Sequence, residues 1–184
     1  MSAPVTTERS FAEQHAFNCQ VWERIVDNPR WEDTLETIET DRDGNLIMSP
    51  PPAPPHRLRQ DRINQLLKRL LPEGGSFVEG AVSTAEGTKV ADVVWYRPEL
   101  ARAFESGEAI LPEFAPDLCV EVRSKRDSLR EMQKKAAVYF RAGVREVWRC
   151  DRDGTMSFYG PEGLLEQSKI CPDFPRNIPA AFLR

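Results

Sequence analysis

Residues 88–98, TKVADVVWYRP, and residues 117–122, DLCVEV, decide how this chain folds. Both are rich in the β-branched and aromatic side chains that suit a pleated surface. Turn formers bound both: Glu86-Gly87 and Pro98 around the first, Pro116 and the charged SKRD around the second. They read as strands, yet each carries one carboxylate inside its apolar run. Alternation puts Asp92 on the face of Val90 and Val94, and Glu121 on the face of Cys119. A carboxylate buried without a partner is costly or shifts its pKa upward, so a cation, a hydrogen-bond network or a metal is expected opposite these two.

Working outward, SFVEGAVS (76–83) forms a hairpin with the first strand across Glu86-Gly87. After the second strand, Ser128 and Glu131 have the spacing of a capping box, and Gly143 is a natural helix stop. At about 100° per residue with Met132 at zero, Leu129, Ala136, Tyr139 and Phe140 fall within roughly −20° to +80°, the stripe expected to be buried. Lys135, near −60°, sits at the edge of that stripe and can reach the sheet; Lys134, near 200°, should face water (both angles from about 100° per residue). REVWRC (145–150) and TMSFYG (155–160) flank the turn residues DRDG and form a further hairpin.

Upstream, residues 10–26 suit a helix that Asn28-Pro29 ends. TIETDRDGNLIM (37–48) reads as a short hairpin turning at Asp43-Gly44. The run SPPPAPP (49–55) is expected to be neither helix nor central strand, because proline fixes φ and removes a donor, and so to form a stiff surface connection. HRLRQDRINQLLKRLL (56–71) places Ile63, Leu66, Leu67 and Leu70 at amphipathic helical spacing, closed by Pro72 and Gly74-Gly75. Residues 99–116 are polar and proline-punctuated, either a short helix or a mobile flap. The order hairpin, helix, hairpin, strand, helix, hairpin predicts an α/β or α+β sandwich in which helices flank one central mixed β-sheet. The expected organisation is an N-terminal helical extension over 1–30 and a single domain over 31–184.

The composition suits one such core: 184 residues, 40% hydrophobic, with no low-complexity tract. No apolar run approaches the roughly 18 residues of a spanning helix, and Met1–Glu13 lacks signal-peptide features, so the expected location is cytoplasmic, with no membrane partner. Cys19, Cys119, Cys150 and Cys171 are widely spaced with no histidine cluster beside them, which points to buried thiols and not to disulfides or zinc. The net charge of −4 excludes nucleic-acid binding through an overall basic field, so any DNA contact must be local.

An Asp and a Glu on neighbouring strands with a Lys beside them is what metal-assisted phosphodiester hydrolysis needs. Two carboxylates suit Mg²⁺, which prefers oxygen ligands and keeps several waters, with Mn²⁺ as an alternative. The lysine can position the attacking water or stabilise developing charge.

The segments DGNLIMSPPPAPPH (43–56), GTKVADVVWYRPE (87–99), PDLCVEVRS (116–124) and KKAAVYFRAGVREVWRCDRDG (134–154) resemble the Uma-two family of restriction-endonuclease-like proteins, within the PD-(D/E)XK superfamily. The resemblance runs from about Glu36 to Phe174, several motifs in the family's order. It implies a restriction-endonuclease-like fold and a Mg²⁺-dependent endonuclease, with DNA as substrate. Asp92 and Glu121 match the family's metal-binding acids, and Lys135, four residues before Tyr139 of the Y-x-x-x-G pattern, matches its lysine. Glu39 and Glu79 are both candidates for a further acid. The chain departs from the pattern in having Ala91 for the usual proline, Arg123 and then Ser124-Lys125-Arg126 for an apolar residue and an S-P-S stretch, and Lys134 where an acid is common. Arg123, Lys125 and Arg126 are thereby candidate DNA contacts, against the reading of this basic run as a solvated face. Nucleases that cut both strands often pair, so a homodimer is compatible with this reading. The alternative is a catalytically inactive nuclease-fold protein that binds nucleic acid or a protein partner. His56 is expected at a helix N-terminus and not as a ligand, since His15 is far away in sequence.

Overall fold

The apolar periodicities resolve into two layers of helix around one sheet. The computed structural model describes residues 9–104 and 110–179. In chain order the elements are α1 (Phe11–Val26), β1 (Thr37–Thr40), β2 (Leu46–Ser49), α2 (Pro54–Leu70), β3 (Gly75–Thr84), β4 (Gly87–Tyr96), α3 (Pro98–Ala101), β5 (Leu118–Val122), α4 (Leu129–Arg141), β6 (Glu146–Cys150), β7 (Met156–Gly160) and β8 (Gly163–Leu165). β3 to β8 form one six-stranded sheet in sequence order, and β1 and β2 form a separate two-stranded sheet. All neighbouring pairs are antiparallel except β5 and β6, which run parallel because α4 crosses between them.

Both faces of the sheet are covered, which is why β4 and β5 read as near-continuous apolar runs. On one face Ile63 and Leu67 of α2 pack against Val93, Trp95, Leu118, Val120 and Trp148. On the other, Tyr139 of α4 packs with Val82, Ala91, Val94, Cys119 and Val147. Three of the four cysteines are buried, Cys19 is partly buried, and all four are free thiols. No helix among the described residues is long and apolar enough to cross a membrane.

Local chemistry sets the helix ends. Ser128 and Glu131 close a reciprocal capping box at α4, and Ser10 and Glu13 do the same at α1. The proline run behaves differently from expectation at its end, because Pro54 and Pro55 form the first turn of α2. There the missing amides have no intrahelical acceptor to lose, and φ is already helical. β8 was not anticipated; its three residues are too few to show a period. Of the expected stripe of α4, Tyr139 is buried and Met132, Ala136 and Phe140 are half-buried, but Leu129 in the first turn is exposed and Val138, outside the stripe, is buried.

The β1–β2 hairpin seats on the first half of β4. At Gly87, φ is +95°, and a Cβ would stand 2.3–2.4 Å from the carbonyl oxygens of Thr40 and Asp41, so only glycine lets the hairpin come this close.

Leu67 is fully buried and Leu164 is 71% exposed. Leu67→Ala should therefore cost about 2–5 kcal/mol in urea unfolding. Leu164→Ala should stay within about 0.5 kcal/mol of the parent. Equal losses for the two would contradict this placement of the core.

Candidate active site

The site forms where two strands part. β4 and β5 pair at Val93–Val120, Val94–Cys119 and Trp95–Leu118, and the ladder stops there, one residue short of Asp92 and Glu121. Alternation breaks at the same place: Val93 and Trp95 pack on the α2 side, whereas Ala91 shares the α4 side with Val94 and Tyr96. On the other flank Val78 pairs with Val93 and Gly80 with Ala91, so Glu79 faces Asp92, and Glu79 has a left-handed φ of 54°. A non-glycine residue there marks a local distortion of the ladder.

Backbone groups stripped of ladder partners must find others. The amide of Thr88 donates to Thr40 Oγ1 (2.9 Å) and that of Val90 to Glu39 Oε1 (3.0 Å). The Val90 carbonyl accepts from Lys135 Nζ (2.9 Å) and the Asp92 carbonyl from Gln60 Nε2 (2.8 Å). Across the gap the Val122 amide donates to Asp92 Oδ2 at 2.6 Å. Side chains thus take over the hydrogen bonds that a continued ladder would have made.

Lys135 is the hub. Its ammonium lies 3.0 Å from Glu39 Oε1 and 3.0 and 3.1 Å from the two oxygens of Glu121. Tyr139, one turn further along α4 and fully buried, donates its hydroxyl to Glu121 Oε1 at 2.8 Å. Burial pushes the Glu121 pKa up, Lys135 pulls it down, and Asp92 pushes it up again; the net is a carboxyl raised to about 7. Burial opposes the charge on Lys135, but Glu121, Glu39 and Asp92 outweigh it and hold the ammonium above its ordinary pKa. Burial also raises the Tyr139 hydroxyl, so that it stays a donor at neutral pH.

Asp92 has a second neighbour in His56, whose Nε2 lies 3.3 Å from Oδ2. Burial disfavours the imidazolium, yet Asp92 together with the Val122 backbone and Glu121 raises the His56 pKa. These residues line a cleft of about 230 Å³ with Thr37, Ser49, Ser124, Asp127 and Met132.

The structure therefore brings Glu121 and Lys135 into contact and sets Asp92 in the same cleft. Of the two further acids, Glu39 joins through Lys135, while Glu79 lies exposed on the lining. Arg123 is held by Asp151 Oδ1 (2.9 Å) and by the Asp127 carbonyl (3.2 Å); Lys125 and Arg126 are exposed on the loop between β5 and α4. His56, Gln60 and Tyr139 were missed as polar partners. Carrying the Ile63 stripe back by three and seven residues reaches Gln60 and His56, so the signal was present in the helical period.

Other buried acids differ in kind. Glu146 accepts from Trp148 Nε1, Ser168 Oγ and the amides of Lys169 and Ile170, all within 3.0 Å. Asp117 is held by the amide and guanidinium of Arg97 and by Arg145. Both are satisfied by structural partners, Glu146 by neutral donors and Asp117 by guanidinium groups. In the cleft Glu39 and Glu121 share the Lys135 ammonium and Asp92 faces His56, and a cation between Asp92 and Glu121 would relieve the repulsion that helps raise the latter's pKa. The acids offer only hard oxygen donors, which fits Mg²⁺ or Mn²⁺ with waters completing the shell. Among the described residues no group of three or more His, Cys, Asp or Glu side chains meets as a ready ligand set.

The sequence matches the Uma2 family, described as "Putative restriction endonuclease", over residues 22–181. A crystal structure described as a "putative nuclease belonging to DUF820", from Anabaena variabilis, superposes with a TM-score of 0.64 over 86% of this chain and 94% of that one, at 18% identity. That likeness confirms the nuclease fold. No curated protein matches the sequence.

A carboxyl raised in the folded state holds its proton more tightly folded than unfolded, so Glu121 lowers stability as pH climbs from the ordinary carboxylate range through about 7. Removing Lys135 raises that carboxyl further. Lys135→Met should thus be destabilised by about 3–5 kcal/mol at pH 8, as for a broken buried pair, and by clearly less at pH 5, where Glu121 is protonated. Metal-free urea unfolding at both values checks this; equal deficits would contradict it.

Proposed function

The chain belongs to the Uma2 family, and on that premise we propose that it is a metal-dependent nuclease that hydrolyses phosphodiester bonds of DNA. The observation that carries the reading is the convergence of Lys135 on Glu121 and Glu39 in the cleft that holds Asp92. Asp92 and Glu121 would hold Mg²⁺, or Mn²⁺ in its place. When bound, the ion supplies Lewis acidity toward phosphate and lowers the pKa of its water.

The chain's own groups do the rest. Lys135, fixed by the Val90 carbonyl and kept protonated by its acids, presents a positive charge at the cleft wall, where it orients the attacking water and stabilises charge developing on the phosphate. Tyr139 holds the Glu121 carboxylate in one rotamer. Glu39 is the further acid, tying the ammonium to the hairpin. Lys125 and Arg126, exposed between cleft residues Ser124 and Asp127, supply local phosphate contacts in a chain whose net charge is −4.

A catalytically silent scaffold that binds nucleic acid or a protein partner is the second reading. It is favoured by the engagement of Glu121 on Lys135 and by the lack of a ready three-ligand cluster among the described residues.

Plasmid DNA should be cut in the presence of Mg²⁺ and left intact with EDTA. Asp92→Ala and Lys135→Ala should each slow cutting by about 10²-fold or more. DNA binding that persists with no metal uptake by calorimetry and no cleavage would establish the silent scaffold instead.

A further inference from the structure

We propose that His56 is a positioning residue for Asp92, fixing its carboxylate together with the Val122 amide so that the cleft presents it in one orientation. For metal binding this role rests on the nuclease reading above; for the carboxylate itself it does not.

Four observations carry it. The His56 Nε2 contact (3.3 Å) and the Val122 amide (2.6 Å) fall on the same oxygen, Oδ2, and neither engages Oδ1. A carboxylate gripped through one oxygen from two directions cannot swing about its terminal bond without losing both. The ring is also placed rigidly. His56 sits in the first turn of α2 directly after Pro54 and Pro55, with its amide bonded to the Ala53 carbonyl (2.9 Å). Proline's fixed φ removes the fraying usual at a helix start.

The same helix face grips the strand twice, since Gln60, one turn on from His56, holds the Asp92 carbonyl. Finally, the His56 side chain is only 12% exposed, and its Nδ1 is buried without a hydrogen-bond partner among the described residues. An orphaned buried nitrogen is a cost that a site filled for packing would avoid with an apolar side chain. The geometry therefore suits an anchor acting through Nε2.

Partners that orient metal-binding groups are worth about 10–100-fold in metal affinity. The test compares His56→Ala with His56→Gln, whose amide nitrogen keeps a donor toward Oδ2, in the full chain. In the metal-free protein, hydrogen exchange of the Val122 amide should be about tenfold faster in His56→Ala and near the parent rate in His56→Gln, with the global unfolding midpoint showing that both variants are folded. Mn²⁺ affinity by calorimetry should fall about 10–100-fold in His56→Ala and recover in His56→Gln.

Unchanged Val122 exchange in His56→Ala, a glutamine variant no better than alanine, or parental Mn²⁺ affinity in His56→Ala overturns the proposal. So does a directly coordinated nitrogen in the electron spin echo spectrum of bound Mn²⁺, which would make His56 a ligand. If the parent binds no Mn²⁺ while Val122 exchange still responds to His56→Ala and recovers in His56→Gln, the metal reading fails and the positioning role stands.

Discussion

A strand that leaves its neighbour inside a folded protein must hand every freed amide and carbonyl to some other group, because an unpaired backbone polar group away from water is expensive. β4 joins β5 only from Val93 onward, and the rest of the cleft follows from the separation before it. Thr40 and Glu39 take amides of β4, Lys135 and Gln60 take its carbonyls, and Asp92 takes the Val122 amide across the gap. The groups that satisfy the backbone are the same ones that carry the charge. Chemistry and architecture are therefore not separable here: a side chain lost from the cleft also leaves a strand edge unsatisfied.

The electrostatics follow from the same geometry. Glu39, Asp92 and Glu121 are drawn toward one gap and are answered by the Lys135 ammonium and the His56 ring, so Glu39 and Glu121 share one cation. Asp117 and Glu146 show what the fold does when an acid is only structural, surrounding it with amides, hydroxyls, an indole or guanidinium groups. Glu121 receives less, a tyrosine hydroxyl and a shared ammonium, and its pKa rises accordingly. Perturbed acids in a concave site are where cations and phosphate chemistry are expected.

Much of this was legible in the sequence because it depends on local periodicity. Strand and helix positions follow from alternation and the 3.6-residue repeat. Asp92 and Glu121 stood out as acids in apolar strands, and helical phase separated Lys135 from Lys134. What could not be read depends on contacts between distant segments. Glu39 and Glu79 have equal claims in one dimension; only the docking of the hairpin and the left-handed φ at Glu79 separate them. Tyr139 looked like core and is core, but its hydroxyl reaches Glu121. His56 was set aside for want of a second histidine nearby, when its partner was a carboxylate from β4. Arg123, one of a run of cations in sequence, is held by Asp151 from the loop after β6.

The hairpin that contributes Glu39 belongs to its own two-stranded sheet, and every residue of β2 is exposed. Such ribbons are marginal by themselves. Its attachment rests on the Gly87 contact, a few side-chain bonds to β4 and the small cluster that Ile38 makes with Val21 and Ile25 of α1, whereas the six-stranded sheet has larger apolar clusters on both faces. The order of disassembly follows: the ribbon, giving up only its small cluster on α1, is expected to lift while the core of the sheet stays folded. When it does, the Val90 amide loses its cap and Lys135 loses one of its acids, so the cleft comes apart before the protein does.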